Sequence, residues 1–188
     1  FANVDWDTYT IRYIFQVFYN GDESNAEPQV IYTDGKSVSF PVRLVPDRHY
    51  NFVVWADVTT EADKELNTIH NLTIDEATAA DIHYNTESLT NITLKNTWVA
   101  MDETRDAFTG HFDTAVDGDK SPYNGAKSIN IPLTRPFAKL RVITTDMEQL
   151  NDLVIRPTTA TVEYTTDLYS SFNAFAGEAI GDSKNRNI

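Results

Sequence analysis

The sequence contains no cysteine. Disulfides, thiolate metal centres and thiol catalysis are therefore excluded. No run of about 18 apolar residues occurs, so no segment reads as a membrane-spanning helix. Basic residues are scarce: 15 Lys and Arg against 28 Asp and Glu leave a net charge of −13. Binding to nucleic acid needs cations that neutralise phosphate, so no nucleic-acid partner is expected. The seven glycines form neither a Gly-x-Gly-x-x-Gly fingerprint nor a phosphate loop, and no Gly-x-Ser-x-Gly elbow is present. His49, His70, His83 and His111 show no pairing at metal-ligand spacing. The expected catalytic, cofactor-binding and metal sites are accordingly none, and the chain reads as non-enzymatic.

What is present is material for a pleated core. Hydrophobic residues make up 41% of the 188 and aromatics 12%, with Val, Ile, Phe and Tyr prominent. Charge is unevenly spread. Residues 57–119 carry 14 acidic and 3 basic side chains, whereas 120–145 carry 5 basic and none acidic. Solvated loops followed by a strand pair with outward Lys and Arg would give this pattern, and so would two complementary surfaces for head-to-tail contact. The chain opens at Phe1 with no signal-like apolar region, and the expectation is a processed or partial chain whose export signal lies elsewhere.

Thr10 to Tyr19 alternates, with Ile11, Tyr13, Phe15, Val17 and Tyr19 on one face and Arg12 and Gln16 on the other. Gln29 to Thr33 reads as a short return strand. Val38, Phe40, Val42 and Leu44 alternate with polar residues, and Pro41 marks that run as an edge strand or bulge. Tyr50 to Val58 is apolar on both faces, as in a strand covered on both sides. A short helix is expected around Asp75 to Asp81, capped by Thr73 or Asp75, with short strands at Asn91 to Lys95 and near Trp98. Residues 113–125 read as a loop, Asp146 to Leu153 as a helical turn or two, and Thr159 to Thr165 as a strand, with a polar tail from Gly177. Between Ile129 and Val142 two alternating segments meet at a corner bounded by Pro132 and Pro136, where the chain must leave one sheet and enter another. The absence of strand–helix alternation points to an all-β antiparallel sandwich. Residues 1–135 form the expected N-terminal sandwich domain. Residues 136–188 read as the beginning of a second, incomplete β domain, or as strands that join the first.

Several groups were weighed as chemistry. Asp113, Asp117 and Asp119 flank Gly118 but miss the spacing of a calcium loop. Asp102, Glu103 and Asp106 surround Arg105, a pattern of local ion pairing; a hydrolase would need two such carboxylates opposed across a cleft. Asn71-Leu72-Thr73 and Asn91-Ile92-Thr93 match the glycosylation acceptor pattern. Of Trp6, Trp55 and Trp98, Trp55 reads as core and Trp98 as the better recognition candidate.

The stretch Tyr50-Asn51-Phe52-Val53-Val54-Trp55-Ala56-Asp57 resembles a strand of fimbrillin-like surface proteins of gut and oral Gram-negative anaerobes. Further pieces follow in that family's order: His83 to Thr86, Arg105 to Gly110, Leu133 to Leu140, then Tyr169, Phe172 to Ala174 and Gly177-Glu178. The resemblance implies two transthyretin-like β-sandwiches and a place at the cell surface or outer membrane. It implies a pilus subunit or adhesin that assembles by β-strand addition, with a lipid anchor outside this chain as its only membrane contact. Its partners would be other pilus or surface subunits and host or bacterial glycans or proteins. The family's Arg-Asn-Tyr-Arg-Thr-like final run is absent. The competing expectation is a surface glycan-binding lipoprotein.

Overall fold

A computed structural model describes residues 4–19, 22–23, 27–46, 48–60, 65–95, 102–115, 127–138 and 169–181. They build an all-β protein of two antiparallel sheets with almost no helix. The larger sheet contains β1 (Thr10–Tyr19), β2 (Asp22–Glu23), β3 (Gln29–Thr33), β4 (Tyr50–Thr59), β5 (Ile69–Asn71) and β8 (Phe108–Asp113). Its order is β5-β3-β1-β4-β8, with β2 also pairing β1. The smaller sheet contains β6 (Tyr84–Asn85), β7 (Ile92–Leu94), β9 (Ser171–Asn173) and β10 (Glu178–Ile180), in the order β10-β9-β7-β6. Helix α1 spans Ile74–Thr78.

The spine of the molecule is the pair β1–β4, in register over ten residues from Thr10↔Thr59 to Tyr19↔Tyr50. Both strands are buried on both faces. Alternation separates their side chains into two apolar clusters, one on each side of the sheet. On the first face Ile14, Phe18, Val30, Tyr32, Val53 and Trp55 pack with Ala77 of α1 and with Tyr84, Ile92 and Phe172 of the smaller sheet. On the second face lie Ile11, Tyr13, Phe15, Tyr50, Phe52, Val54 and Ala56. Each such side chain sealed from water contributes about 1.5–3 kcal/mol, so neither face can be left bare.

Arg12, expected opposite the apolar face of β1, lies wholly buried in the first cluster. Its Nε and Nη2 donate to Oδ1 and Oδ2 of Asp57 at 2.9 and 2.6 Å, a two-pronged pairing across the β1–β4 ladder. Nη1 donates to the Ala77 carbonyl of α1 at 2.7 Å, and Nη2 lies 2.8 Å from Oδ1 of Asp81. Trp55 Nε1 donates to Asp57 at 3.1 Å, and Asp81 accepts from the Thr86 amide and hydroxyl. One guanidinium thus joins β1, β4, the end of α1 and the approach to β6. Burial opposes the Arg12 charge, but attraction and hydrogen bonds to Asp57 and Asp81 more than offset it and hold the guanidinium protonated.

Helix α1 starts where a capping box forms. Thr73 Oγ1 accepts from the Glu76 amide at 3.3 Å, and the Glu76 carboxylate accepts from the Thr73 amide at 2.9 Å. Strands β9 and β10 fall within the stretch expected to begin a second domain or to join the first. Residues 139–168 lie outside the described residues, as do the strand expected at Thr159 to Thr165 and the helical turns at Asp146 to Leu153. Ser171–Asn173 pair with β7 of the smaller sheet, Glu178–Ile180 pair with β9, and Phe172 and Ala174 enter the cluster around Trp55. The polar tail expected from Gly177 is corrected over Glu178–Ile180, which form β10. Gly177 sits at φ 70° in the connecting turn, a conformation glycine adopts without a Cβ clash.

Replacing Arg12 with alanine strips the cation from two buried carboxylates. The expected cost is about 3–5 kcal/mol, read as a fall in the denaturant midpoint. Arg12→Lys, which keeps the charge but not the planar fork, is expected to recover only part of it.

Candidate functional site

Two extended segments cover the second face of the large sheet. Residues 37–45 cross it first. Tyr13 donates its hydroxyl to the Gly35 carbonyl at 3.3 Å, Phe40 stacks on Phe15 at 4.9 Å, and the Val45 amide donates to the Tyr50 hydroxyl at 3.2 Å. Residues 127–133 cross it second, with Ile129, Ile131 and Leu133 turned onto the cluster. Both carry the alternation of a strand: Val38, Phe40 and Leu44 are half-buried while Ser37, Ser39, Pro41 and Arg43 are exposed. Neither forms a ladder. Among the described residues, no backbone–backbone hydrogen bond is made by 37–44 or by 128–133. The strand expected at 38–44 is thus extended but unpaired.

Between the two segments lies a groove of about 1050 Å³. Phe15, Phe52, Val54, Ala56 and Phe108 form its floor, and Val42, 36% exposed, opens onto it from one wall. The floor residues from β1 and β4 are nearly sealed by the roof side chains, so the open volume runs beside those side chains.

The proline-bounded corner explains how the second segment is held. Thr134 exchanges both backbone hydrogen bonds with Thr109 of β8 at 2.9 Å, an isolated antiparallel bridge at the sheet edge. The chain then rounds that edge. Phe137 lies on the first face, stacked on Tyr84 at 5.8 Å and edge-on to Trp55 and Phe172. Arg135 fastens the turn, donating to Asp106 at 2.9 Å and lying 4.9 Å over the Phe108 ring. The corner expected at Pro132 to Pro136 is a wrap around the edge of β8; the segment before it belongs to neither sheet, and residues 139–142, where entry into another sheet is expected, lie outside the described residues. Gly110 permits the close crossing. A Cβ there would stand 2.6 Å from Leu133 Cδ2, 2.8 Å from Ile131 Cγ2 and 2.9 Å from the Pro132 carbonyl.

The acidic groups weighed in the sequence shape turns. Asp102 Oδ1 caps the 3-10 turn Glu103–Arg105 through the Thr104 amide at 2.9 Å, and its other oxygen lies 3.8 Å from Arg105. His83 Nε2 meets Thr104 Oγ1 at 2.6 Å, and Asp102 lies 3.6 Å from that same nitrogen. A nucleophilic triad needs its carboxylate on the opposite ring nitrogen, but His83 Nδ1 is buried without a partner. The cluster therefore anchors the 102–105 turn. Asp113 accepts from the Ala115 amide at 2.7 Å; Asp117, Gly118 and Asp119 lie outside the described residues. No group of three metal-binding side chains occurs among the described residues. His49 is exposed, His70 meets the Glu65 carbonyl, and His111 meets Asn51 Oδ1 at 2.8 Å. Asn71 and Asn91 are exposed. Trp55 is fully buried, Trp6 is exposed, and Trp98 lies outside the described residues.

One family matches residues 2–187. The chain belongs to a family of unknown function, DUF6562. No curated protein and no solved structure matches it. Membership in DUF6562 therefore assigns no activity to the groove. No helix among the described residues is long and apolar enough to cross a membrane.

Gly110→Ala is expected to displace the 129–133 segment at a cost of about 1–3 kcal/mol, with faster proteolysis between Lys127 and Arg135 as the readout. A pH titration tests the His83 anchor. Burial lowers its pKa, partly offset by Asp102, while Arg105 lowers it further. The unfolded chain therefore takes up a proton near pH 6.5 before the native state does. Stability is expected to fall as pH drops below that value, and His83→Gln should flatten the fall. Asp102 and Asp106, whose pKa values are lowered, lose their contributions only below about pH 4.

Proposed function

We propose that this chain is a non-enzymatic cell-surface protein of the fimbrillin-like kind, a pilus subunit or adhesin. Its groove receives an extended strand from a neighbouring subunit. The observation that supports this reading is the pair of roof segments, which have the side-chain alternation of strands but no ladder partner. A strand laid between them would pair with unsatisfied backbone on each side and send alternate side chains into the open volume beside the roof side chains. On this reading the layers form a transthyretin-like sandwich with one strand position open. The ordered sequence pieces from Tyr50 to Glu178 add the family likeness. Export to the outer membrane and attachment through a lipid anchor outside this chain belong to the same proposal.

A glycan-binding surface would instead draw on exposed coplanar rings. Tyr84 and Phe137 are near-parallel at 10°, but they stack on each other above a buried core. The strand-accepting reading is therefore preferred.

Electron microscopy and sedimentation of the full-length protein, after any processing its host applies, test the subunit role. Fibres or higher assemblies are expected, and Ile131→Glu, which puts a charge against the groove, should abolish them while circular dichroism stays unchanged. A protein that stays monomeric and never enters surface fibres removes the subunit role.

A further inference from the structure

His83 stands just before β6 with its imidazole 10% exposed, packed against the Glu103–Arg105 turn. The hydrogen bonds assign its proton. The Thr104 hydroxyl donates to Asp102 Oδ1 at 2.5 Å, so it accepts from His83 Nε2–H at 2.6 Å. Nδ1 is then a bare lone pair, buried and without a partner among the described residues. A second proton would have to go to Nδ1, where no acceptor meets it. Of the charged groups facing the ring, Asp102, 3.6 Å from Nε2, and Asp57 of β4 favour the cation, whereas Arg105 opposes it. Burial opposes it most, so the closed site resists protonation. Lys95 gives its amide to the His83 carbonyl and turns its ammonium to the Asp81 carbonyl, each at 2.8 Å.

This contact clamps two segments together, and each segment carries one tie of the proline corner. Tyr84, next to His83, stacks on Phe137 and donates its hydroxyl to the Arg105 carbonyl at 2.5 Å. Asp106, next to Arg105, accepts from Arg135 at 2.9 Å. Arg135 and Phe137 directly follow Thr134, whose bridge to Thr109 ends the second wall of the groove. The wall is thus fastened through a corner whose two side-chain ties meet at the imidazole.

We propose that His83 is an acid-sensitive latch on the groove: a proton at Nδ1 drives the ring from its pocket, the 102–106 turn separates from Tyr84, and the corner at 134–137 detaches from β8 while the β1–β4 core stays folded. The inference does not depend on what occupies the groove. Linkage sets its size and sign. The opened ring takes up a proton near pH 6.5 and the closed ring only at lower pH. The closed state therefore loses stability as pH falls below 6.5, and the open fraction grows by up to about tenfold per pH unit in that window.

Site-resolved amide exchange on the full chain, from about pH 7.5 to about pH 5, tests the latch. The Thr109 and Thr134 amides, which bond to each other's carbonyls, report the corner. Their protection factors, corrected for the intrinsic pH dependence of exchange, are expected to fall by up to about tenfold per unit below pH 6.5. Val53 and Val54 in the centre of β4 should stay level. His83→Gln, whose amide can still donate to Thr104 but does not titrate, should level Thr109 and Thr134 as well. His111→Gln, on β8 itself, should leave their fall in place. Nitrogen NMR of the wild-type ring should place the His83 titration below pH 6.5. Level protection at Thr109 and Thr134 in the wild type overturns the proposal, as does a His83 that titrates at or above that pH. A fall that persists in His83→Gln, or one shared equally by β4, also overturns it. The wild-type exchange and titration decide the matter even where His83→Gln folds poorly.

Discussion

A sheet that is apolar on both faces must be covered on both, and most of this structure follows from that constraint. The β1–β4 pair supplies Trp55, Val53 and Ile14 to one side and Phe15, Phe52 and Val54 to the other. The first side is closed by α1, the smaller sheet and Phe137. The second is closed by chain that has the right side chains but no ladder. The difference in completeness between the two covers is what makes the second face a site.

The completed face also holds the costliest group in the molecule. Burying Arg12 requires full compensation, and Asp57, Asp81 and the Ala77 carbonyl provide it from three elements. A hub of that kind fixes α1 and the turn before β6 in one arrangement. Among the described residues, the other face has no comparable polar clamp at its centre. Its roof is held at the margins: Tyr13 on Gly35, Tyr50 on Val45, and Thr134 with Arg135 at the β8 edge. Rigid floor and margin-held walls suit a groove that accepts a segment without repacking the core.

Strong alternation made β1 legible from its residues, the turn signals around it made the short return strand β3 legible, and the Thr73 cap made α1 legible, because these signals are local. The double-sided burial of β4 was readable from its mostly apolar run, which only Asn51 and Asp57 interrupt. The faces of β1 were only half readable. Arg12 looks like a polar residue, and its carboxylate partners lie 45 and 69 positions away in the chain. Strands β9 and β10 are three residues each, too short for any period to show, and are held by pairing of β9 with β7 and of β10 with β9. The groove was least legible of all. Residues 38–44 and 129–133 read as strands because their side chains alternate, and pairing depends on neighbours that a linear pattern does not contain. The one local sign, Gly110 beneath Ile131 and Leu133, is an ordinary glycine until the crossing chain is placed over it.

On the proposed reading, the backbone at 37–44 and 128–133 stays extended and unpaired until a neighbour's strand is added. Amide hydrogen exchange measured on the isolated protein and on its assembled form reads this directly. The predicted result is fast exchange in both segments of the isolated protein, slow exchange throughout β1 and β4, and simultaneous protection of both segments on assembly. Slow exchange at 37–44 and 128–133 in the isolated protein, or no gain in protection on assembly, would contradict it.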